Sequence, residues 1–496
     1  MGATGGASGS AGRGGTTETI DGSGDAARPD VTDTTLPDGC RPGSCTPPGG
    51  RYCGLIGDGC SSSIDCGACP TGEVCGLRVA NVCGTPCTLC GDIPECDGAK
   101  TTVSGIAVTG AWTRPDPLYR ALVYIPNIPP GSRLPPLVDG PICNRCVPLT
   151  PDTSVASAIT GFDGSFTLEN VPAGKGIPLV VQLDRWRYQT TIDVLPCTNN
   201  VLPEGTARLP RNQKEGDIPL TAISTGRVDA LECVLRKMGI DDSEFANPTG
   251  AGRIHIYRDN GARIDTLTPA ESELTGAGET GVGAWDKYSQ IILSCEGLQR
   301  SHSAGALAKF ADYVNRGGRV FATHFRYSWL FMNGPFASTA QWQVNMPISL
   351  TSLIASIDTA TSKGADFAAW LRLVGVLANA SPPQISITDP RHDLTALTPN
   401  GGAQRWIYSN APASVQHFTV DTPVSSAPDR VCGRVAYSDF HVANGNNELL
   451  TFPAECNMTN LSPQESVLEF MLLDLASCTG TTTPPSVPPP PPPPFR

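Results

Sequence analysis

The sequence predicts a multidomain chain: a small disulfide-rich module, then a β-sandwich, then an α/β domain on a doubly wound parallel sheet. Three observations predict it. Eleven of the 19 cysteines fall between Cys40 and Cys96. From Thr101, short runs alternate apolar and polar residues, the two-residue period of half-buried strands. Beyond residue 217, apolar runs with little alternation are separated by helical periods, the pattern of parallel strands covered on both faces.

The ends carry no core. Residues 1–38 are Gly, Ser, Thr, Ala and Asp with almost no large apolar side chain, so they read as a disordered Gly/Ser-rich linker. Residues 479–496 end in a polyproline run, an extended spacer. The net charge is −12, and no Lys/Arg cluster is interleaved with aromatics, which argues against a nucleic-acid partner. No run of about 18 apolar residues exists, so no transmembrane helix is expected.

Residues 39–98 form the cysteine module. The stretch GRYCGLIGDGCSSSIDCGACPTGEVCG has few core formers, and a segment so small needs covalent staples. Cys53, Cys60, Cys66, Cys69, Cys75 and Cys83 are the disulfide candidates. A rival reading is a zinc ribbon from Cys66-x-x-Cys69 and Cys87-x-x-Cys90. It leaves Cys53, Cys60, Cys75 and Cys83 idle, whereas disulfides use them all. Thiols at this density indicate an oxidising compartment, hence an extracellular or cell-envelope protein. The opening MGATGGASGSAGRGG lacks the apolar core of a signal peptide. An export signal or lipoprotein anchor is therefore expected upstream of Met1.

Residues 99–212 supply the sandwich strands: TTVSGIAVTGAW, ALVYIPN, SAITGFDGSFTLENV, IPLVVQLDRW and YQTTIDVL. Asp163-Gly164 is expected as a hairpin turn between two of them. The piece ITGFDGSFTLENVPAGKGIPLVVQ, with Gly164, Phe166, Leu168 and the Val171-Pro172-Ala173-Gly174 turn, resembles the carboxypeptidase-regulatory-like, transthyretin-like sandwich family. That resemblance implies a non-catalytic spacer or binding platform.

Residues 217–478 supply the α/β domain. GRVDALECVLRKMGI places Val228, Leu231, Leu235 and Met238 on one helical face. RIHIYR and YSQIILSC read as strands, SAGALAKFADYVNRGG as a helix and RVFATHF as a third strand. DFAAWLRLVGVLA continues as a helix, QISIT and RVAYSDFHV as strands. A last helix starts at the capping box Ser462/Glu465 with Pro463 at its first position.

Ligands bind outside the carboxyl ends of parallel strands. Those ends deliver Cys295 and Glu296; His324, Arg326 and Tyr327; and Asp439 and His441. ITDPRHDLTAL adds Asp389, Arg391, His392 and Asp393. His324, Arg326, Tyr327, His392, Asp439 and His441 are the ligand-binding candidates. His324, Glu296 and His441 are the candidates for acid–base chemistry. Cys295 could act as a nucleophile beside a histidine, but a disulfide, with Cys233 as partner, is the expected role. His324, His392 and His441 could converge on a metal, yet they form no local motif; no metal or cofactor is expected. Trp285, Trp329, Trp342 and Trp406 could stack on sugars, although core packing is the better expectation.

At these residues the chain resembles the ThuA-like branch of the class I glutamine-amidotransferase-like superfamily, which implies a flavodoxin-like fold. FADYVNRGGRVFATHF, DPRHDLTAL and GRVAYSDFH occur in the order that branch uses, and residues 330–385 read as an insertion. Catalytic amidotransferases carry a nucleophilic cysteine at the strand–helix elbow. Here the elbow is Thr323-His324-Phe325, so the resemblance supports the fold and withdraws that mechanism. Three functions follow as expectations. The first is a surface binding protein for a small molecule, with a carbohydrate suggested by the branch's link to sugar utilisation. The second is a hydrolase using His324 with Glu296 or a metal. The third is a purely structural surface protein.

Overall fold

A computed structural model describes residues 43–47, 50–60, 62–76, 80–143, 145–146, 153–276, 283–345, 350–442, 450–481 and 494. The expected linker 1–38 and nearly all of the tail 479–496 lie outside them.

The cysteine module has almost no apolar core: Tyr52, Ile56, Cys66 and Val82 make up its buried cluster. Two tiny antiparallel pairs, Leu55–Gly57 with Ser63–Asp65 and Val74–Cys75 with Cys83–Gly84, are held by covalent bonds. These are Cys45–Cys66, Cys53–Cys75, Cys69–Cys83 and Cys87–Cys90. Cys60 is also disulfide-bonded. All four thiols of the zinc-ribbon alternative are thereby consumed.

Longer links tie the module and the rest together. Cys96–Cys197 spans 101 residues, Cys143–Cys432 spans 289 and Cys233–Cys456 spans 223. The last corrects an expectation: Cys233 does not pair with Cys295, because the first helix turns its thiol toward the segment before the last helix.

Between Thr102 and Asp217 a five-stranded and a three-stranded sheet form. Val103, Phe166 and Leu168 of the smaller share one core with Val123, Leu179 and Val181 of the larger. Ser165–Glu169 alternates exposed and buried residues as its pattern requires. Asp163-Gly164 does turn the chain, with Gly164 at φ +73°. The strands it joins do not pair, however. Ser154–Ile159 lies in the larger sheet and Ser165–Glu169 in the smaller. The expected hairpin is a crossover between sheets.

The α/β part is built on an eleven-stranded mixed sheet. Strands β1 (Thr221–Thr225), β2 (Ile254–Arg258), β3 (Gln290–Leu293), β4 (Arg319–Thr323) and β5 (Gly433–Ser438) run parallel in the order β2-β1-β3-β4-β5. Their residues alternate between two cores. Ile223, Ile256, Ile292, Phe321 and Ala436 face helices α1 (Leu231–Lys237) and α3 (Pro463–Leu475). Ala222, Tyr257, Ile291, Val320 and Tyr437 face helix α2 (Ala304–Asn315). Both faces are covered, which is why β1, β3, β4 and β5 are buried throughout and lack alternation.

Beyond β5 the sheet changes character. Ala413–Thr422, Ala403–Asn410, Ser352–Ile357 and Pro383–Thr388 follow, each antiparallel to its neighbour. QISIT (384–388) is thus not a further parallel strand. Ser352–Ile357 sits between Ala403–Asn410 and Pro383–Thr388 and shows the half-buried alternation that antiparallel strands tolerate.

Candidate functional site

The chain passes from β1 to β2 on one side and then to β3 on the other. The order therefore reverses between β1 and β3, the place in an open α/β sheet where ligands bind outside the carboxyl ends of the strands. Gly226 follows β1 there, so close to the next strand that a Cβ would overlap the Cys295 carbonyl. Four strand ends meet at this point: Asp229 after β1, Cys295 after β3, His324 after β4, and Asp439 and His441 after β5.

Cys295 is fully buried and, among the described residues, is the free cysteine. Its Sγ lies 3.4 Å from Nδ1 of His324. Its backbone N–H donates to the Thr323 hydroxyl, 2.9 Å, and that hydroxyl donates to Asp229 Oδ2, 2.7 Å. Burial pushes the Cys295 thiol far up, and the Asp229 charge adds to the effect.

His324 occupies the elbow with φ +39°, a left-handed conformation that a non-glycine residue adopts only under constraint. Its Nε2 is 3.3 Å from Asp393 Oδ2. Burial lowers its pKa to about 4 despite Asp393, so the ring is neutral. An Nε2–H directed at Asp393 leaves the Nδ1 lone pair facing the thiol; this tautomer is assigned from the hydrogen-bond partners.

His441 repeats the arrangement. Its Nδ1 is 3.3 Å from Asp229 Oδ2, while its Nε2 accepts from Arg391 Nε at 3.2 Å. The two imidazoles stand edge to face with centroids 4.7 Å apart. Burial alone would raise the Asp229 carboxyl. His441, the Thr323 hydroxyl and the Val442 N–H outweigh it and hold Asp229 below the usual range.

Behind the elbow, the Tyr437 hydroxyl is 2.9 Å from both the His324 carbonyl and Asp439 Oδ1. One phenolic proton cannot serve two acceptors. Burial and the neighbouring Asp393 hold the Asp439 carboxyl well above its usual range. A protonated Asp439 therefore completes the network. Its other oxygen accepts the Asp393 N–H at 2.8 Å.

Arg326 and Glu296 lie beside this group and have a different character. Arg326 is fully buried; it forks onto Glu271 at 2.8 and 2.7 Å, and its Nε donates to the Ser294 carbonyl at 2.8 Å. Glu296 Oε2 is 2.8 Å from the same Nε. Neither Glu296 oxygen accepts a hydrogen bond among the described residues. Burial raises Glu296 to about 7 against the pull of Arg326. Tyr327 is buried and donates to Gln299 Oε1 at 2.9 Å.

The candidates thus sort by position. His324, His441 and Asp439 converge. Arg326 is locked in a carboxylate cage, with four of its five donors spent on Glu271, Ser224 and the Ser294 carbonyl. His392 is separate: it lines a small hollow with Leu350, Leu353 and Pro412. Cys295, and not His392, stands beside His324 and His441. Trp285, Trp329 and Trp406 are core residues. Sequence reading missed Asp229 as a partner, although the strand-end rule that selected Glu296 applies equally to the residues after β1. It placed Asp393 among the polar residues after a strand but gave it no partner.

The chain is a multidomain, disulfide-bonded protein with a mixed α/β sheet, and none of its described helices is long and apolar enough to cross a membrane. No protein-family profile matches the sequence. No curated protein matches it either. Among solved structures, it is similar to a cytoplasmic protein from Salmonella typhimurium: 12% identity, TM-score 0.24, covering 53% of this chain and 100% of that one. It is similar also to a ThuA-like protein from Parabacteroides merdae: 12% identity, TM-score 0.27, covering 54% of this chain and 93% of that one.

Proposed function

We propose that this is an exported or envelope-attached binding protein. In this reading a cysteine module (39–98) and a carboxypeptidase-regulatory-like sandwich (99–212) carry a flavodoxin-like, ThuA-like domain (217–478) whose crevice takes a small polar ligand. Seven described disulfides favour an oxidising compartment. The strand order β2-β1-β3-β4-β5 favours the flavodoxin-like reading.

The observation that carries the function is the convergence of Asp229, Cys295, His324 and His441 from four strand ends onto one reversal point. The elbow argues against amidotransferase chemistry: His324 occupies it, and the thiol stands on the neighbouring strand. A carbohydrate ligand has no support from Trp285, Trp329 or Trp406, whose rings are committed to the core.

The test is one variant read by two assays. His324→Ala should abolish thermal shifts produced by a panel of small sugars and carboxylates. It should change intrinsic stability by no more than about 1–2 kcal/mol. A strongly destabilised variant with unaltered binding would show His324 to be a core residue only.

A further inference from the structure

The crevice group has a composition and symmetry that a simple polar pocket does not require. We propose that Cys295, His324 and His441 are the three protein ligands of a zinc-type divalent metal ion at the carboxyl edge of the sheet. This builds on the crevice reading and names what the crevice holds.

Four observations carry it. First, one ligand atom from each of the three residues lies within 4.8 Å of the others, and all three residues are buried. Tetrahedral geometry at zinc–nitrogen and zinc–sulfur bond lengths puts neighbouring ligands roughly 3.4–3.7 Å apart. The 3.4 Å between Cys295 Sγ and His324 Nδ1 is such an edge.

Second, each imidazole has one nitrogen beside a buried aspartate: Asp393 at His324 Nε2 and Asp229 at His441 Nδ1, both 3.3 Å. Metal-bound histidines are oriented by this arrangement, which fixes the tautomer and leaves the other nitrogen's lone pair for the ion. Third, one thiolate and two imidazoles form a borderline-soft set suited to zinc, and three protein ligands leave a fourth position open. Fourth, Cys295 is free among the described residues, although sixteen other cysteines are disulfide-bonded.

A Cys–His–Asp nucleophile is the rival use of the same atoms. Asp229 decides between them. A reactive thiolate needs positive surroundings, and here the Cys295 backbone leads through the Thr323 hydroxyl to a buried carboxylate, Asp229, at 2.9 and 2.7 Å. A dication reverses that logic, because it deprotonates a coordinating thiol outright and turns Asp229 and Asp393 into favourable outer charges. The second carboxylate-backed histidine also has no task in a nucleophile triad. Arg391, half-buried at His441 Nε2, must release that nitrogen for the ion to bind.

The experiment uses the full, disulfide-intact chain, stripped with a chelator and reloaded with zinc or cobalt(II). About one ion per chain should remain after desalting. The cobalt form should show a thiolate-to-metal charge-transfer band. Cys295→Ser should remove that band, and Asp393→Asn should weaken metal binding about 10–100-fold. His392→Ala, outside the cluster, should leave binding unchanged. In the wild type, zinc should slow alkylation of Cys295 after the protein is opened with mild denaturant, a readout that survives if a variant fails to fold.

The metal proposal is overturned if folded wild-type protein retains no ion, if the band persists in Cys295→Ser, or if Cys295 alkylates equally fast with and without zinc. Should the metal-free protein still bind small ligands in a His324-dependent way, only the metal falls. If neither metal nor ligand binds, the crevice reading falls with it.

Discussion

The Arg326 guanidinium meets the Glu271 carboxylate fork to fork, Nη1 2.8 Å from Oε1 and Nη2 2.7 Å from Oε2, with both groups buried. Glu296 at 2.8 Å and Asp259 at 3.5 Å complete a cage of three carboxylates around one cation. Arg300 reaches Asp259 from the surface at 2.6 Å. This cage fixes the loops after β2 and β3 against the elbow.

Replacing Arg326 should therefore be severe. Arg326→Met takes the main counter-charge from the buried Glu271 and Glu296, while Asp259 keeps Arg300, and breaking such a buried arrangement costs about 3–5 kcal/mol. Denaturant unfolding measures it. Adding Glu271→Gln to the Met variant should restore part of the loss; no recovery would mean the carboxylates are not the source.

Glu232 makes stability fall as pH rises from about 4.5 to about 8. Burial, helped by Glu455 and Asp229, lifts its carboxyl from the ordinary 4.5 to about 8. The folded value exceeds the unfolded one, so the contribution is complete below pH 4.5 and is lost as pH rises through 8. Over that window the folded state holds a proton the unfolded chain has released. The slope for one such group is roughly 1.4 kcal/mol per pH unit. Urea melts across this range should show the decline, and Glu232→Gln should flatten it.

Gly226 is required by close backbone approach. Its Cβ would collide with the Cys295 and Ser294 carbonyls, which are backbone and cannot step aside. Gly226→Ala should cost more than the usual 0.5–3 kcal/mol of a point substitution. It should also raise the alkylation rate of Cys295 in the native state. Wild-type stability with an unchanged thiol would mean that β1 and β3 are less closely apposed.

Disulfide content tests the compartment. Protein from an oxidising host, denatured without reductant, should titrate far fewer than 19 thiols, with Cys295 among those labelled. A count near 19 would remove the argument for export. Removing the Cys96–Cys197 link by a double alanine change should cost about 2–5 kcal/mol.

Much of the fold was legible in order along the chain. The wholly buried β3 and β4 read as strands because parallel strands covered on both faces carry little alternation. The closing helix was legible from Ser462 and Glu465, whose mutual capping is observed. These signals are local: a helix period, a cap or a strand run is specified by residues within a few positions of one another. The antiparallel turn of QISIT was not legible, since an apolar run says that a strand is buried but not which neighbour it pairs with.

The sequence by itself determined the succession of modules, the cysteine density and the fact that polar residues follow the buried strands. Tertiary structure alone decided which of those residues meet. Asp229 and His441 are 212 positions apart and touch only because β5 closes beside β4 in a sheet whose order reverses at β1. His392 and Asp393 are adjacent in sequence, yet Asp393 meets His324 while His392 lines a separate hollow. Cys233 and Cys295 looked like partners by proximity to predicted elements. The helix direction gave Cys233 to Cys456 and left Cys295 its thiol. Periodicity encodes what is buried; strand order, set by the packing of the whole sheet, chooses the partners.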